Sequence, residues 1–256
     1  MKINEVVTEA QVSPYSQKNL DPDDIMEKLF THCNEAISFG FLKFPIWRGF
    51  RSLNEPFKEL DSSVGERESQ NTSNHYTLLL DNSPYMSGWP KRSKSFICTS
   101  DPSYASGYGK IYMLIPFDGV KIAVCPYRDF WFTPLKLPEF GHQYGGDYHC
   151  DMSGFTEWLD SLGLPATSFE DMVSYTLTDN FMRNIADYKA NIPPQKFIPY
   201  LQMRLQPKLT RLKLMTIPEY AAAKPKQREV WFSGPCYAIK ADFLRKILPK
   251  NHFPWL

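Results

Sequence analysis

Three short segments of this 256-residue chain place polar side chains inside apolar runs. Arg48 lies within 44–50, Cys98-Thr99-Ser100 ends the run 95–100, and Gln227-Arg228-Glu229 opens the run 227–232. An arginine suits two-point binding of a phosphate group. A carboxylate held in a fixed position stabilises positive charge that develops in a transition state. Arg48 and Glu229 are therefore the charged residues of these segments whose types suit anion binding and stabilisation of positive charge.

The elements that must position these side chains follow from the hydrophobic pattern. Apolar runs predict strands at 44–50, 95–100, 111–117, 120–125, 228–232 and 237–239. Asp118-Gly119 between two of them predicts a hairpin. A capping Asp21 followed by Pro22 predicts a helix that ends at Gly40.

The segments between the strands complete the predicted organisation. Residues 153–215 have mainly helical patterning, and residues 1–20 are polar and unpatterned. The sequence therefore predicts a flexible arm over 1–20 and a single α+β domain over 21–256. A mainly helical block at about 127–215 is inserted in that domain.

In their order and surroundings the three segments resemble the mono-ADP-ribosyltransferase family of the arginine, Ser-Thr-Ser, Gln-x-Glu class. Trp47-Arg48-Gly49 matches the aromatic-Arg-Gly strand, and Phe96-Ile97-Cys98-Thr99-Ser100 matches the aromatic-x-Ser-Thr-Ser strand. Gln227-Arg228-Glu229 matches Gln-x-Glu before a hydrophobic strand. The resemblance covers residues 44–125 and about 217–240, and it implies a split β-sandwich.

The resemblance implies that NAD is the substrate and that its nicotinamide–ribose bond is cleaved. This cleavage builds positive charge on the ribose, as in glycoside cleavage. Glu229 would stabilise that charge, and Arg48, beside Gly49, would hold the diphosphate. Cys98, Thr99 and Ser100 would line the cofactor site, with Thr99 and Ser100 bracing the nicotinamide end and Glu229.

The acceptor side of the site is also implied by the resemblance. Gln227, two positions before Glu229 on the same strand face, would touch a protein or nucleic-acid acceptor. The loop 217–226, with Tyr220, would correspond to the target-recognition loop. Tyr104 and Tyr108 either pack in the core or stack on nicotinamide.

The chain departs from the family pattern in two respects. Cys98 stands where the first Ser of Ser-Thr-Ser is found, and a thiol is a weaker hydrogen-bonding group than a hydroxyl. The stretch from Ser100 to Gln227 is longer than a compact member needs. Either the helical block is an insertion that serves substrate recognition, or the assignment of Glu229 is wrong.

Alternative functions stay open at this point. The chain could be a catalytically inactive binding or structural protein on the same fold, or an NAD glycohydrolase with water as acceptor. A cysteine hydrolase would use Cys98 with His75 or His149. A metal site would use His142, His149 and Cys150, but a polar loop is the simpler interpretation, and no metal is expected.

Composition narrows the class of protein. The chain has 29 basic and 28 acidic residues, so a net charge of +1 gives no global attraction to nucleic acid or an anionic membrane. Five scattered cysteines favour a reducing compartment. No signal peptide or membrane-spanning run is found. We expect a cytoplasmic protein with no membrane partner, and the sequence leaves its oligomeric state open.

The segment Pro90–Thr99 is also similar to uncharacterised proteins of tailed bacteriophages. This similarity implies an enzyme that acts on host components during infection, or one carried in the phage particle.

Overall fold

The computed structural model describes residues 21–65, 67, 73–138, 149–186 and 192–247. The arm predicted at 1–20 lies outside these residues. The described part of the chain forms eleven α-helices: α1 (Pro22–His32), α2 (Asn34–Ser38), α3 (His75–Asp81), α4 (Pro102–Ala105), α5 (Met152–Ser161), α6 (Phe169–Tyr175), α7 (Asp179–Ala186), α8 (Pro194–Arg204), α9 (Pro207–Thr210), α10 (Ile217–Ala223) and α11 (Ala241–Ile247).

Its ten strands are β1 (Ile46–Phe50), β2 (Phe57–Asp61), β3 (Phe96–Thr99), β4 (Lys110–Pro116), β5 (Ile122–Val124), β6 (Leu135–Lys136), β7 (His149–Cys150), β8 (Lys213–Met215), β9 (Glu229–Phe232) and β10 (Pro235–Lys240). Eight of them form one antiparallel sheet in the order β2-β10-β4-β1-β3-β9-β5-β8. The prediction of an α+β fold is therefore confirmed.

The chain divides into two compact units. Among the described residues, the sheet unit comprises 21–65, 67, 90–128 and 213–247, and the helical unit comprises 73–89, 129–138, 149–186 and 192–212. The helical block predicted at 127–215 corresponds closely to the second part of the helical unit. The sequence pattern did not predict that 73–89, which contains α3, would join it.

The ladder at the centre of the sheet is short. β1 pairs with β4 over five residue pairs, whereas β1 pairs with β3 only through Trp47 and Thr99. The sheet is therefore divided into two four-stranded groups, β2-β10-β4-β1 and β3-β9-β5-β8, joined at one residue pair. The predicted active-site segments lie on both sides of this junction.

Buried apolar side chains from the sheet and from the helices around it form the core of the sheet unit. Ile25 and Leu29 of α1 are fully buried, as are Leu114 of β4 and Val230 of β9. Burying such side chains contributes roughly 1.5–3 kcal/mol each, which is the main force holding the site-bearing strands in place.

The hairpin predicted at Asp118-Gly119 is wrong, although both flanking strands are present. β4 pairs with β1 and β10, while β5 pairs with β9 and β8, so the two strands are not partners. The Asp118 carboxylate instead accepts hydrogen bonds from the backbone N–H groups of Asn34 (3.1 Å) and Glu35 (2.8 Å). Asp118 therefore caps the start of α2.

The same contact explains why the helix predicted from Asp21 to Gly40 is interrupted. Cys33 leaves the helical conformation, with φ −127° and ψ 34°, and its thiol lies against the Ile115 carbonyl. Asp118 then begins α2 as a separate helix. Gly40, which was predicted to end the single helix, has φ +73° and lies two residues after the end of α2.

The recognition loop expected at 217–226 is also wrong for its first seven residues, which form α10. Thr216 and Glu219 make a reciprocal capping box at its start. Tyr220 is fully buried and packs against the Phe41 ring at 5.4 Å, so it does not face an acceptor.

Within the described ranges, no helix has both the length and the apolar character needed to span a bilayer.

Candidate functional site

The sheet order brings the three predicted segments together. β3 lies between β1 and β9, and Thr99 is opposite Trp47 on one side and Glu229 on the other. Residues separated by more than a hundred positions in the sequence thereby become neighbours. The side chains do not all share a face, because successive strand residues point to opposite sides. Alternation directs Arg48 and Cys98 to one side of the sheet, and Thr99 and Glu229 to the other.

Arg48 is 8% exposed and lies where β1 and β3 part. Its Nη1 donates to the Ile97 carbonyl, and its guanidinium carbon lies 5.3 Å from the centre of the Phe50 ring. Its Nε is buried without a hydrogen-bond partner, and the ion pairs of the described residues do not include it. Arg48 is therefore a buried cation that meets no carboxylate among the residues that the structure describes.

Cys98 is a buried thiol beside Arg48. Burial raises the pKa of Cys98 to about 12, and the charge and hydrogen bond of Arg48 oppose that rise, while the Glu229 carboxylate adds to it. Both charged residues therefore act on this thiol. Cys98 is a neutral group at physiological pH and lacks the thiolate that a nucleophile needs.

Thr99 and Ser100 use their hydroxyls on the protein backbone. Thr99 Oγ1 accepts from the Asp101 N–H at 3.1 Å. Ser100 exchanges two hydrogen bonds of 2.9 Å with Arg228: its Oγ accepts from the Arg228 N–H, and its own N–H donates to the Arg228 carbonyl. Ser100 thus fixes the residue that precedes Glu229.

Glu229 is 7% exposed and begins β9. Its Oε1 accepts a hydrogen bond from Nη1 of Arg92 at 2.7 Å, and Arg92 is 3% exposed. The guanidinium carbon of Arg92 also lies 4.8 Å from the centre of the Trp231 ring. Glu229 and Arg92 form a buried ion pair, in which each charge offsets the desolvation of the other.

Gln227 is exposed and has φ +50°, outside the strand that begins at Glu229. The predicted alternation between Gln227 and Glu229 therefore does not apply, because Gln227 occupies a left-handed turn. Its side chain remains accessible to a macromolecule.

Close backbone packing requires glycine at position 49. A Cβ at this position would lie 2.3 Å from the Ala105 carbonyl oxygen and 2.8 Å from the Tyr108 carbonyl carbon. The backbone after β3 therefore packs directly on β1. Tyr108 is half-buried, and its ring packs edge-on against Tyr104 at 5.7 Å.

Neither alternative chemistry gains support. His75 is fully buried in the helical unit, where Nε2 donates to the Leu164 carbonyl, so it lacks the exposure of a catalytic base. His142 lies outside the described residues, as does the side chain of His149. In the part of the chain that the structure describes, no group of three or more potential His, Cys, Asp or Glu ligands could hold a metal.

Arg92 is the residue that sequence reasoning missed. It belongs to the basic run Lys91-Arg92-Ser93-Lys94, for which the sequence predicts a solvated turn or, beside a phosphate-binding site, a run that steers an anionic cofactor. The structure buries Arg92 and leaves Lys91 exposed. Nothing in the spacing distinguishes these cations, because the selection is made by Glu229 and Trp231, which are distant in sequence.

Comparison with known proteins finds no matching family model, no matching curated protein and no matching solved structure.

Proposed function

We propose that this chain cleaves the nicotinamide–ribose bond of NAD and transfers ADP-ribose to a macromolecular acceptor, with Glu229 as the catalytic carboxylate. The observation that carries the proposal is the adjacency of β1, β3 and β9, with Thr99 directly opposite Glu229. The order of the three segments in the sequence does not require this adjacency. A single site formed by all three segments does require it.

The division of the sheet supports the same proposal. Two four-stranded groups joined at one residue pair are compatible with the split β-sandwich that the resemblance implies. Arg48 lies at the junction of these groups, where a substrate could contact residues of both.

The surroundings of Arg48 fit an anionic group such as the diphosphate of NAD. A buried guanidinium costs several kcal/mol unless an opposite charge compensates it. Arg48 has an unsatisfied Nε and no carboxylate partner among the described residues. An anion bound there would supply both the missing charge and the missing acceptor.

Glu229 would stabilise the positive charge that develops on the ribose as nicotinamide leaves. Because the carboxylate is 7% exposed, the reaction requires the site to open enough for the ribose to reach it. The exposed Gln227 lies two residues away and would contact the acceptor, which is a protein or a nucleic acid.

A second candidate is a binding or structural protein with no NAD-cleaving activity. The observation that favours it is that Glu229 is already paired with Arg92 and points to the opposite side of the sheet from Arg48. In this case the charged residues hold the sheet together, and neither meets NAD.

Labelling with a tagged NAD analogue separates the candidates. The full chain and its Glu229→Gln variant are incubated with a bacterial lysate, and labelled macromolecules are detected. We expect labelling by the parent alone. Free nicotinamide without labelling would indicate a glycohydrolase. If neither labelled macromolecules nor free nicotinamide appear, the result supports a binding or structural protein. Equal labelling by both forms would show that Glu229 is not the catalytic carboxylate.

A further inference from the structure

We infer that Arg92 is a positioning residue, which holds the Glu229 carboxylate in the orientation needed for NAD cleavage. The inference rests on the proposed function. Nη1 of Arg92 donates to Oε1 of Glu229 at 2.7 Å, and the exposed fractions of the two side chains are 3% and 9%. A hydrogen bond between charged groups that are this well shielded from solvent is strong and directional.

Trp231 holds Arg92 in place. It follows Glu229 by two residues and therefore points to the same side of β9. The Arg92 guanidinium stacks over its ring at 4.8 Å, and the indole N–H donates to the Pro90 carbonyl at 3.1 Å. The indole is thus tied to the turn that carries Arg92. A planar guanidinium on a fixed platform presents its N–H groups in fixed directions.

In the part of the chain that the structure describes, the side chains at the end of β3 and just after it make their hydrogen bonds to other groups. The hydroxyls of Thr99 and Ser100 accept from the backbone at Asp101 and Arg228. Cys98 is opposite Val230, on the other side of the strand from Glu229. Arg92, by contrast, donates directly to the Glu229 carboxylate.

A purely structural ion pair would have the same geometry, so the test must separate the two roles. An ion pair that only links the turn to β9 affects the free energy of unfolding but not the turnover rate of folded molecules. A positioning residue affects the turnover rate of molecules that remain folded, because a displaced carboxylate no longer faces the reacting ribose.

The test measures nicotinamide release and the thermal unfolding midpoint for the full chain and four variants. Arg92→Met removes the hydrogen bond, Arg92→Lys keeps the charge, and Glu229→Gln removes the catalytic charge. Arg51→Met is the matched control, because Arg51 is exposed. We expect Arg92→Met to lower kcat about a hundredfold with KM for NAD unchanged. Arg92→Lys should recover part of kcat, and Arg51→Met should match the parent.

Several results would overturn the inference without removing the proposed function. If Glu229→Gln is inactive while Arg92→Met has the parent kcat per folded molecule, Arg92 is only a structural pin. A higher KM at unchanged kcat would make Arg92 an NAD ligand instead. If Glu229→Gln is as active as the parent, the proposed function itself fails.

A double-mutant cycle tests the pair without relying on turnover. Arg92→Met, Glu229→Met and the double variant are compared by thermal unfolding. We expect the double variant to lose less than the sum of the single losses, because each single variant leaves one buried charge unpaired. Additive losses would show that Arg92 does not hold Glu229, even in a chain with no measurable turnover or with an Arg92→Met variant that folds poorly.

Discussion

Two arginines are buried in the sheet unit, and their surroundings differ in one decisive respect. Arg92 contacts the Glu229 carboxylate, whereas Arg48 contacts the Ile97 carbonyl and the neutral Cys98 thiol. Removing one partner of a buried ion pair is strongly destabilising, because the other charge is left buried and unpaired. A buried cation without a carboxylate is costly to keep, and function is one reason to keep it.

Substitution of Arg48 by methionine should therefore stabilise the protein and abolish its function. Methionine fills a similar volume without a charge, so we expect Arg48→Met to raise the free energy of unfolding by about 1–2 kcal/mol. Arg92→Met should lower it by about 3–5 kcal/mol. Chemical denaturation measures both changes, and calorimetry with NAD measures the loss of affinity in Arg48→Met. A destabilised Arg48→Met that still binds NAD would show that Arg48 is a structural residue.

The sequence selected a candidate site residue only where the residue type itself suits the proposed chemistry. Arg48, Glu229 and the hydroxyls of 99–100 were selected as candidates because few other residue types could do the proposed work. Arg92 was not found, because Lys91 and Lys94 offer the same charge at the neighbouring positions. The Glu229 partner is selected by packing on Trp231, which no local pattern encodes.

At the scale of elements, strands were predicted more reliably than their partners. The apolar runs that predicted β1, β3, β4, β5, β9 and β10 were sufficient to locate them. The predicted pairing of β4 with β5 was wrong, because Asp118 caps α2 and does not form a hairpin turn. Likewise, Thr216 and Glu219 form a capping box that begins α10, at a position where the resemblance implied a loop.

The helical unit contains a buried histidine with a predictable response to acid. At the start of α3, His75 donates from Nε2 to the Leu164 carbonyl at 2.8 Å, and its Nδ1 lies 2.9 Å from Ser73 Oγ. Burial lowers the pKa of His75 below its ordinary value of 6.5, with the Leu164 hydrogen bond and the Asp160 charge opposing that shift. Protonation therefore favours the unfolded state.

The stability that His75 contributes should be present above its unfolded pKa and be lost as pH falls towards its folded pKa. We expect the protection factors of amides in α3 and α5, which are corrected for the intrinsic pH dependence of exchange, to fall as the pH drops below about 6.5. His75→Gln, which cannot titrate but can still donate to a carbonyl, should remove this dependence. His32→Gln, in the sheet unit, is the matched control. An unchanged pH dependence in His75→Gln would assign the effect to other groups.

At the scale of the whole molecule, composition predicted that the chain folds around a packed core, and it predicted little about the architecture. A near-zero net charge and 43% hydrophobic residues indicate a chain able to form a packed core. The sequence predicted a single domain with a helical insertion, and it did not predict that 73–89 would join 129–138, 149–186 and 192–212 in one unit, because that grouping depends on contacts between distant parts of the chain. Such contacts leave no trace in the local periodicity of either segment.

The central claim is that Glu229 supports cleavage of NAD. Release of free nicotinamide tests it most directly, since this product appears whether the acceptor is a protein, a nucleic acid or water. The parent and Glu229→Gln are compared at equal folded concentration, verified by their unfolding midpoints. We expect release by the parent and a loss of about a hundredfold or more in the variant. Equal release by both forms, or none by the parent, would contradict it.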